Sequence, residues 1–422
     1  MNLVILIKEH KKIGSLKLED ILDHPVFIVV MGHFAIFLLA IPYYYKFNYY
    51  SLLKIFLIVS LFILFYSIPF FVDVKFHKYF KNQNLNLKFQ LKNIIPIIYA
   101  LLLFLIIYHG VYTLTNSLLP SVAYSLGVIF ISSIFAKFKG KNKSRGGFNK
   151  NIYIFNKIIP ISKIFSKLSK NMDNIIFIIG IISFIMLLII YNAIPLTNYT
   201  VRMNISDDPL RLISTGALVY GGINNIFYFI VAFILIFLLG YKAGILILCF
   251  SFLIYNYRSK KISYKWLIAS IVGLLVFLAI MTKVILQYSG QKWSIGIFKI
   301  LSYRAYFDIM VLEKIINYSY PMLGKITLNP VGESLIGELL FGYSHNFTST
   351  MFGPIYLDFG IFGLIFASLL GFSSKLIYEG DKKIYSIYAA ILLSMCEIGI
   401  NYGFIIVMLI MLYVNSLMNR EH

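Results

Sequence analysis

Acid is scarce in this chain. Asp and Glu number 17 of 422 residues, against 38 Lys and Arg, a formal net charge of +21. Cysteine is scarcer still, and Cys249 and Cys396 each sit inside an apolar run, so neither a disulfide framework nor a cysteine zinc site is expected. The acids show no ligand spacing diagnostic of a metal, and no metal or other cofactor is expected. No basic-aromatic module accompanies the positive charge, which argues against nucleic acid as a partner. The first 24 residues lack a small-residue cleavage site behind a short apolar core, so the first span reads as an uncleaved anchor. There is no visible internal repeat, and hence no inverted-repeat signature of the kind found in many transporters.

Apolar residues dominate instead: 59% hydrophobic and 17% aromatic, only 13% charged, with a mean hydropathy of +0.82. That composition predicts an all-α, polytopic integral membrane protein. Spans need about 20 apolar residues each. Runs of this kind lie near 25–44, 52–72, 94–114, 121–137, 174–195, 213–256, 266–285, 351–372 and 384–416. The run at 213–256 is interrupted around Gly240, Lys242 and Gly244, and the last around Glu397, Gly399, Asn401 and Gly403, giving about 11 transmembrane helices in one polytopic domain, 1–422.

The basic loops set the orientation. Segments 73–93 and 137–173 carry nearly all lysine and one aspartate each. The positive-inside rule places them in the cytoplasm, where they also meet anionic membrane lipids. Two crossings within 213–256 would then strand Arg258, Lys260, Lys261 and Lys265 outside. An odd number is expected, with part of 213–224 re-entrant or lying at the outer face, an irregularity tolerated at membrane depth only beside protein or a water-filled cavity. Two larger extracytoplasmic segments follow, 196–212 and 286–350.

Arginines outside run against the positive-inside rule, which singles out Arg202, Arg211 and Arg304. A guanidinium binds phosphate oxygens bidentately, so these residues suit a lipid-linked phosphate or pyrophosphate. The alternative is ordinary pairing, of Arg202 with Asp207 or Asp208 and of Arg304 with Asp308 at i,i+4. Segment 296–318 has helical apolar spacing and is expected to lie flat as a roof. Its Tyr303 and Tyr306 could stack on sugar rings or anchor at the interface.

The stretch YSHNFTSTMFGPIYLDFGIFG (343–363) runs from polar residues into an apolar helix. Pro354 suits a first helical turn. Asp358 lies about one turn inside, where an acid needs a partner or a polar cavity, or it caps its own helix. His345 is a candidate general base, with Asn346 beside it. Glu333 and Glu338 add acidic candidates. Glu397 and Asn401, at i,i+4, either line the same cavity or bond to each other.

Basic inner loops, an outer arginine loop, a second long outer loop with Arg304, and then SHNF leading into YLDFGIFG resemble the O-antigen polymerase (oligosaccharide repeat unit polymerase) superfamily, related to the O-antigen ligases. His345, Asn346, Asp358, Gly360 and Gly363 match a His-Asn, acid and Gly-x-x-Gly pattern. Arg211 and Gly222 match an Arg followed eleven residues later by Gly. At the second such motif Arg304 is followed by Tyr320, with Gly324 the nearest glycine, a departure from the pattern. The resemblance implies a membrane-integral GT-C-like glycosyltransferase architecture, located in the cytoplasmic membrane and facing outward. Its substrate would be a polyprenyl phosphate- or pyrophosphate-linked oligosaccharide, with other polysaccharide-assembly proteins as possible partners. Arg202, Arg211 and Arg304 would hold the phosphate. His345 would take the acceptor proton, with Asp358 orienting it or serving instead. A ligase-like transferase and a lipid-linked oligosaccharide flippase are the rival readings. A metal-dependent membrane transferase would carry paired acids in the first outer loop, and YYYKFNYY has none.

Overall fold

The computed structural model describes residues 21–71, 85–143, 161–205, 208–288 and 296–420. Most of the basic loops used for orientation, and Asp207, lie outside the described residues. Among the described residues there is no strand. The helices are α1 Pro25–Ala40, α2 Tyr49–Phe71, α3 Leu85–Thr115, α4 Leu118–Lys143, α5 Ile161–Tyr191, α6 Tyr199–Asn204, α7 Pro209–Gly222 and α8 Ile226–Leu238. They continue with α9 Lys242–Arg258, α10 Tyr264–Tyr288, α11 Ile297–Asn317, α12 Gly332–Phe341, α13 Gly353–Phe359, α14 Gly363–Tyr378, α15 Lys382–Ile398 and α16 Tyr402–Arg420. Helix satisfies every backbone group within its own segment, which a bilayer demands. Eight stretches among the described residues are long and apolar enough to cross a membrane. The chain is therefore a multi-pass membrane protein, with α7, α8, α9 and α15 as shorter members of the bundle.

The ambiguous run 213–256 folds as three helices, α7, α8 and α9. α7 runs back along α5: Tyr191 Oη donates to Asp208 at 2.8 Å, Ser214 Oγ donates to the Gly180 carbonyl at 3.0 Å, and Gly221 closes on Phe177. α8 then returns, and the Leu196 amide donates to the Leu238 carbonyl at 2.9 Å. α9 descends again to Arg258. α7 and α8 form a hairpin at the end that carries 196–212. The turn at 223–225 had no counterpart in the hydropathy. It forms because the Asn225 side chain accepts from the Phe227 amide at 2.6 Å and starts α8.

Charged residues gather at both ends of the bundle. At one end Arg258 pairs with Asp23 at 3.3 Å, Lys139 with Asp381 at 2.5 Å and Lys383 with Asp173 at 3.1 Å, so this is the basic end. Segment 296–350 covers the other. α11 does not lie free as a roof. Ala305, Ile309, Leu312 and Ile316 are buried in the main core, while Val311 and Ile315 are buried against Ile326, Ile336, Phe347 and Leu357. Apolar residues on two faces wedge α11 between the spans and the 318–350 segment.

The stripe Gly363, Ala367, Gly371 packs on α2, with Gly363 against Phe62 and Gly371 against the Tyr66 backbone. Small residues let the two helix backbones approach closely. Gly360, at φ 55° and ψ −135°, kinks the span between α13 and α14 in a conformation that side-chain-bearing residues avoid. Gly371→Val should drive a side chain into the Tyr66 carbonyl and destabilise the α2–α14 pair by roughly 1–3 kcal/mol. Thermal unfolding in detergent reads this as a lowered midpoint.

Candidate functional site

Helix length creates the recess. α9 and α15 have 17 residues each, or about 26 Å at 1.5 Å per residue, short of the ~30 Å hydrocarbon core. Both have one end anchored in the basic-end ion pairs, at Arg258 and Lys383. Their other ends, Lys242 and Ile398, therefore stop short of the opposite face. The backbone freed there is satisfied by the chain from 344 to 351: the Ser349 amide donates to Ile398 O at 3.4 Å and the Ile400 amide to Met351 O at 3.0 Å. The polar start of the SHNFTST stretch is thus an extended strap lying across the broken end of α15.

Arg304 is held at the centre of this strap. Its Nε donates to Glu397 Oε1 at 3.1 Å and Nη2 to Thr348 Oγ1 at 2.5 Å, and Thr348 Oγ1 in turn donates to Asp308 Oδ1 at 2.7 Å. The i,i+4 contact with Asp308 is longer, 3.9 Å. Arg304 and Glu397 are 45% and 48% exposed, and an ion pair that open to water contributes at most about 1 kcal/mol. Its consequence is position rather than stability. Asp308 is fully buried and its Oδ2 has no partner. Burial pushes its carboxyl up to about 8, against the pull of Arg304. Glu397 and Asn401 do not bond to each other, because Gly399 at φ 95° ends the helix between them. Asn401 Nδ2 donates instead to Glu333 Oε1 at 2.7 Å.

A second cationic group stands at the α8–α9 corner. Gly240, at φ 67°, lets the Arg202 side chain and the Leu196 backbone close in. The Arg211 guanidinium lies 4.3 Å from the centre of the Tyr241 ring, and its Nε is buried without a partner. Arg202 makes one long bond, Nη1 to the Leu196 carbonyl at 3.4 Å, and lies over Tyr199. It does not pair with Asp208, whose carboxylate caps α7 at Leu210 and accepts from Tyr191. Gly222 lies at the far end of α7, close to Ala232 and Leu248, so the Arg211–Gly222 spacing measures the length of the re-entrant helix.

The other candidates divide. Asp358 is buried, and it caps a different segment from the one expected. It accepts from the Ile326 amide at 3.0 Å, the Thr327 amide at 2.7 Å and Thr327 Oγ1 at 2.6 Å, pinning the loop before α12. His345 is exposed, edge-on to Phe347 at 5.8 Å. Asn346 Oδ1 accepts from Ser334 Oγ at 2.5 Å. Glu333 joins the strap through Asn401, while Glu338 is exposed on α12. Tyr306 is engaged by Tyr43, Phe47 and the Lys46 ammonium, which fasten α11 to the α1–α2 connection. Thr348 went unnoticed in the sequence, where a threonine among five polar residues carries no signal.

These features define an all-helical, multi-pass membrane protein with a charged, water-accessible recess at one end of its bundle. The sequence pattern of the family described as "Putative O-antigen polymerase" matches residues 88–413, and the chain belongs to that family. It is similar, at 46% identity over 416 residues, to the uncharacterized protein MJ0420 of Methanocaldococcus jannaschii, covering 99% of this chain and 96% of that protein. No solved structure matches. Family membership supports a role in polymerising surface polysaccharide, with lipid-linked oligosaccharide as the substrate class.

Two outcomes follow from the geometry. Asp358→Ala strands three buried donors at roughly 1–3 kcal/mol each and should abolish recovery of folded protein, whereas His345→Ala should leave the unfolding midpoint unchanged. Asp308 binds its proton more tightly folded than unfolded, so its contribution to stability is lost as pH rises from the ordinary 3.8 to about 8 and is flat above. Asp308→Asn should remove that slope from unfolding midpoints measured across the range.

Proposed function

We propose that this protein is a membrane glycosyltransferase that joins polyprenyl-linked oligosaccharide repeat units at the outer face of the cytoplasmic membrane. One observation carries the reading: Arg304, on α11 and bonded to Thr348 of the strap, and Arg202 and Arg211, at the α8–α9 corner, sit at the end of the bundle opposite the basic-end ion pairs. The positive-inside rule makes that end the outer one. A donor arriving in the membrane needs no nucleotide-binding domain.

The reaction is a displacement at an anomeric carbon. The acceptor hydroxyl oxygen bonds to that carbon, the carbon–oxygen bond to the lipid phosphate breaks, and the phosphate leaves with the electron pair. Arg211 and Arg304, with Arg202, stabilise the charge that develops on it. His345 takes the acceptor proton, and its exposed ring leaves room for an incoming sugar. Asp358 supports the site by pinning the loop that α12 follows, and Glu397 with Thr348 aims the Arg304 guanidinium.

Deleting the gene and resolving surface and lipid-linked glycans by length tests the reading. Loss of the ladder with single repeats still reaching the outside is the expected outcome. Long lipid-linked polymer that is never attached would make the protein a ligase, and repeats trapped inside would make it a flippase. Arg211→Ala, Arg304→Ala and His345→Ala should each abolish polymer with protein levels intact, and polymer retained in all three would overturn the mechanism.

A further inference from the structure

A cavity of about 370 Å³ opens between the C-terminal ends of α11 and α12, lined by Glu313, Lys314, Asn317, Tyr318, Leu339 and Leu340. Its volume falls within the ~300–1,000 Å³ of small-molecule sites, and the reaction described above uses none of these six residues. The walls are held in place by their neighbours. Lys314 Nζ donates to the Leu340 carbonyl at 3.3 Å and lies 4.0 Å from the centre of the Phe341 ring, which clamps α11 to α12. Asn317 Oδ1 accepts from Lys54 Nζ of α2 at 3.3 Å, so the amide is fixed through its oxygen. Beneath the cavity Val311, Ile315 and Ile336 are buried in one apolar cluster, against which Tyr318 and Leu339 pack. Tyr320 stands edge-on to Tyr318 at 6.2 Å and is 74% exposed.

This lining suits a sugar. Each hydroxyl of a sugar ring both donates and accepts, and a planar carboxylate beside a planar amide offers both acceptors and donors. The C–H face of the ring packs on leucine and tyrosine. A phosphate fits less well, because Glu313 repels it and Lys314 is already engaged by Leu340 and Phe341. Position ties the cavity to the recess. Arg304 and Asn317 lie 13 residues apart on α11, about 20 Å at 1.5 Å per residue. α12 likewise carries Glu333, bonded to Asn401, in its first turn and the cavity residues Leu339 and Leu340 in its last. The two helices thus connect the reacting end to the cavity over a length of a few sugars.

The geometry points to a saccharide subsite in this cavity: Glu313 and Asn317 bind hydroxyls of the substrate glycan beyond the bond being formed, and Tyr318 with Leu339 and Leu340 receives a ring face. This rests on the proposed polymerase reading for the origin of the glycan, while the binding itself is measured apart from that reading.

The probe is the repeat oligosaccharide freed by mild acid from the host's lipid-linked pool, titrated into purified full-length protein in detergent. Wild type is compared with the double variant Glu313→Ala, Asn317→Ala. Glu313 is half-buried and Asn317 exposed, so the double variant should unfold at the wild-type midpoint; if the midpoint falls, Asn317→Ala alone takes its place. With the fold intact, the Kd of the double variant should rise at least about fivefold, the scale of two lost hydrogen bonds. In the host its ladder should shift to shorter chains. An unchanged Kd, or no binding of the freed oligosaccharide to wild type, would overturn the subsite and leave the polymerase reading to the gene deletion. Weakened binding by the variant, in a host whose ladder survives gene deletion, would keep the saccharide site and remove the polymerase reading.

Discussion

Everything at the functional end follows from a mismatch of length. α9 and α15, at 17 residues each, are at the short limit for a hydrocarbon core of ~30 Å, and their basic ends are tied down by ion pairs involving Arg258 and Lys383. Their other ends stop inside the protein, and unpaired backbone there is too costly to leave. The strap at 344–351 supplies the missing partners for the end of α15. In doing so it carries Thr348 to Arg304 and brings the SHNFTST polar residues to the recess. The polar strap and the broken helix are therefore one solution to one problem.

The charges at that end are arranged unevenly. On the strap side each ion has an assigned partner: Arg304 with Glu397, Thr348 with Asp308, Glu333 with Asn401. Among the described residues, the corner side has Arg202 and Arg211 against ring faces and one carbonyl. The Arg304 guanidinium is held in one orientation by Glu397 and Thr348, while Arg202 and Arg211 rest on aromatic faces.

Several residues that look chemical in one dimension act by holding others. Asp358 organises three donors of a loop 31–32 residues away in sequence. Tyr306 fastens α11 to the α1–α2 connection through Tyr43 and Phe47. Gly222 permits the tight approach of α7 to α8 and α9. Carboxylates, tyrosines and glycines near a membrane-embedded site serve catalysis and packing alike, and nothing in their spacing separates the two uses.

The sequence by itself determined the all-helical membrane class, the apolar runs, the helix breaks near Gly240 and Gly399 and the candidate arginines. These follow from hydropathy, charge bias and glycine conformation, which are local properties. The tertiary structure alone decided that α7 and α8 form a hairpin, that Glu397 takes Arg304 while Asn401 takes Glu333, and that Asp358 caps a distant loop. Each of these depends on which chain segment fills the space above a short helix, and contacts such as Arg304–Glu397, 93 residues apart, leave no periodicity in a sequence from which to read them.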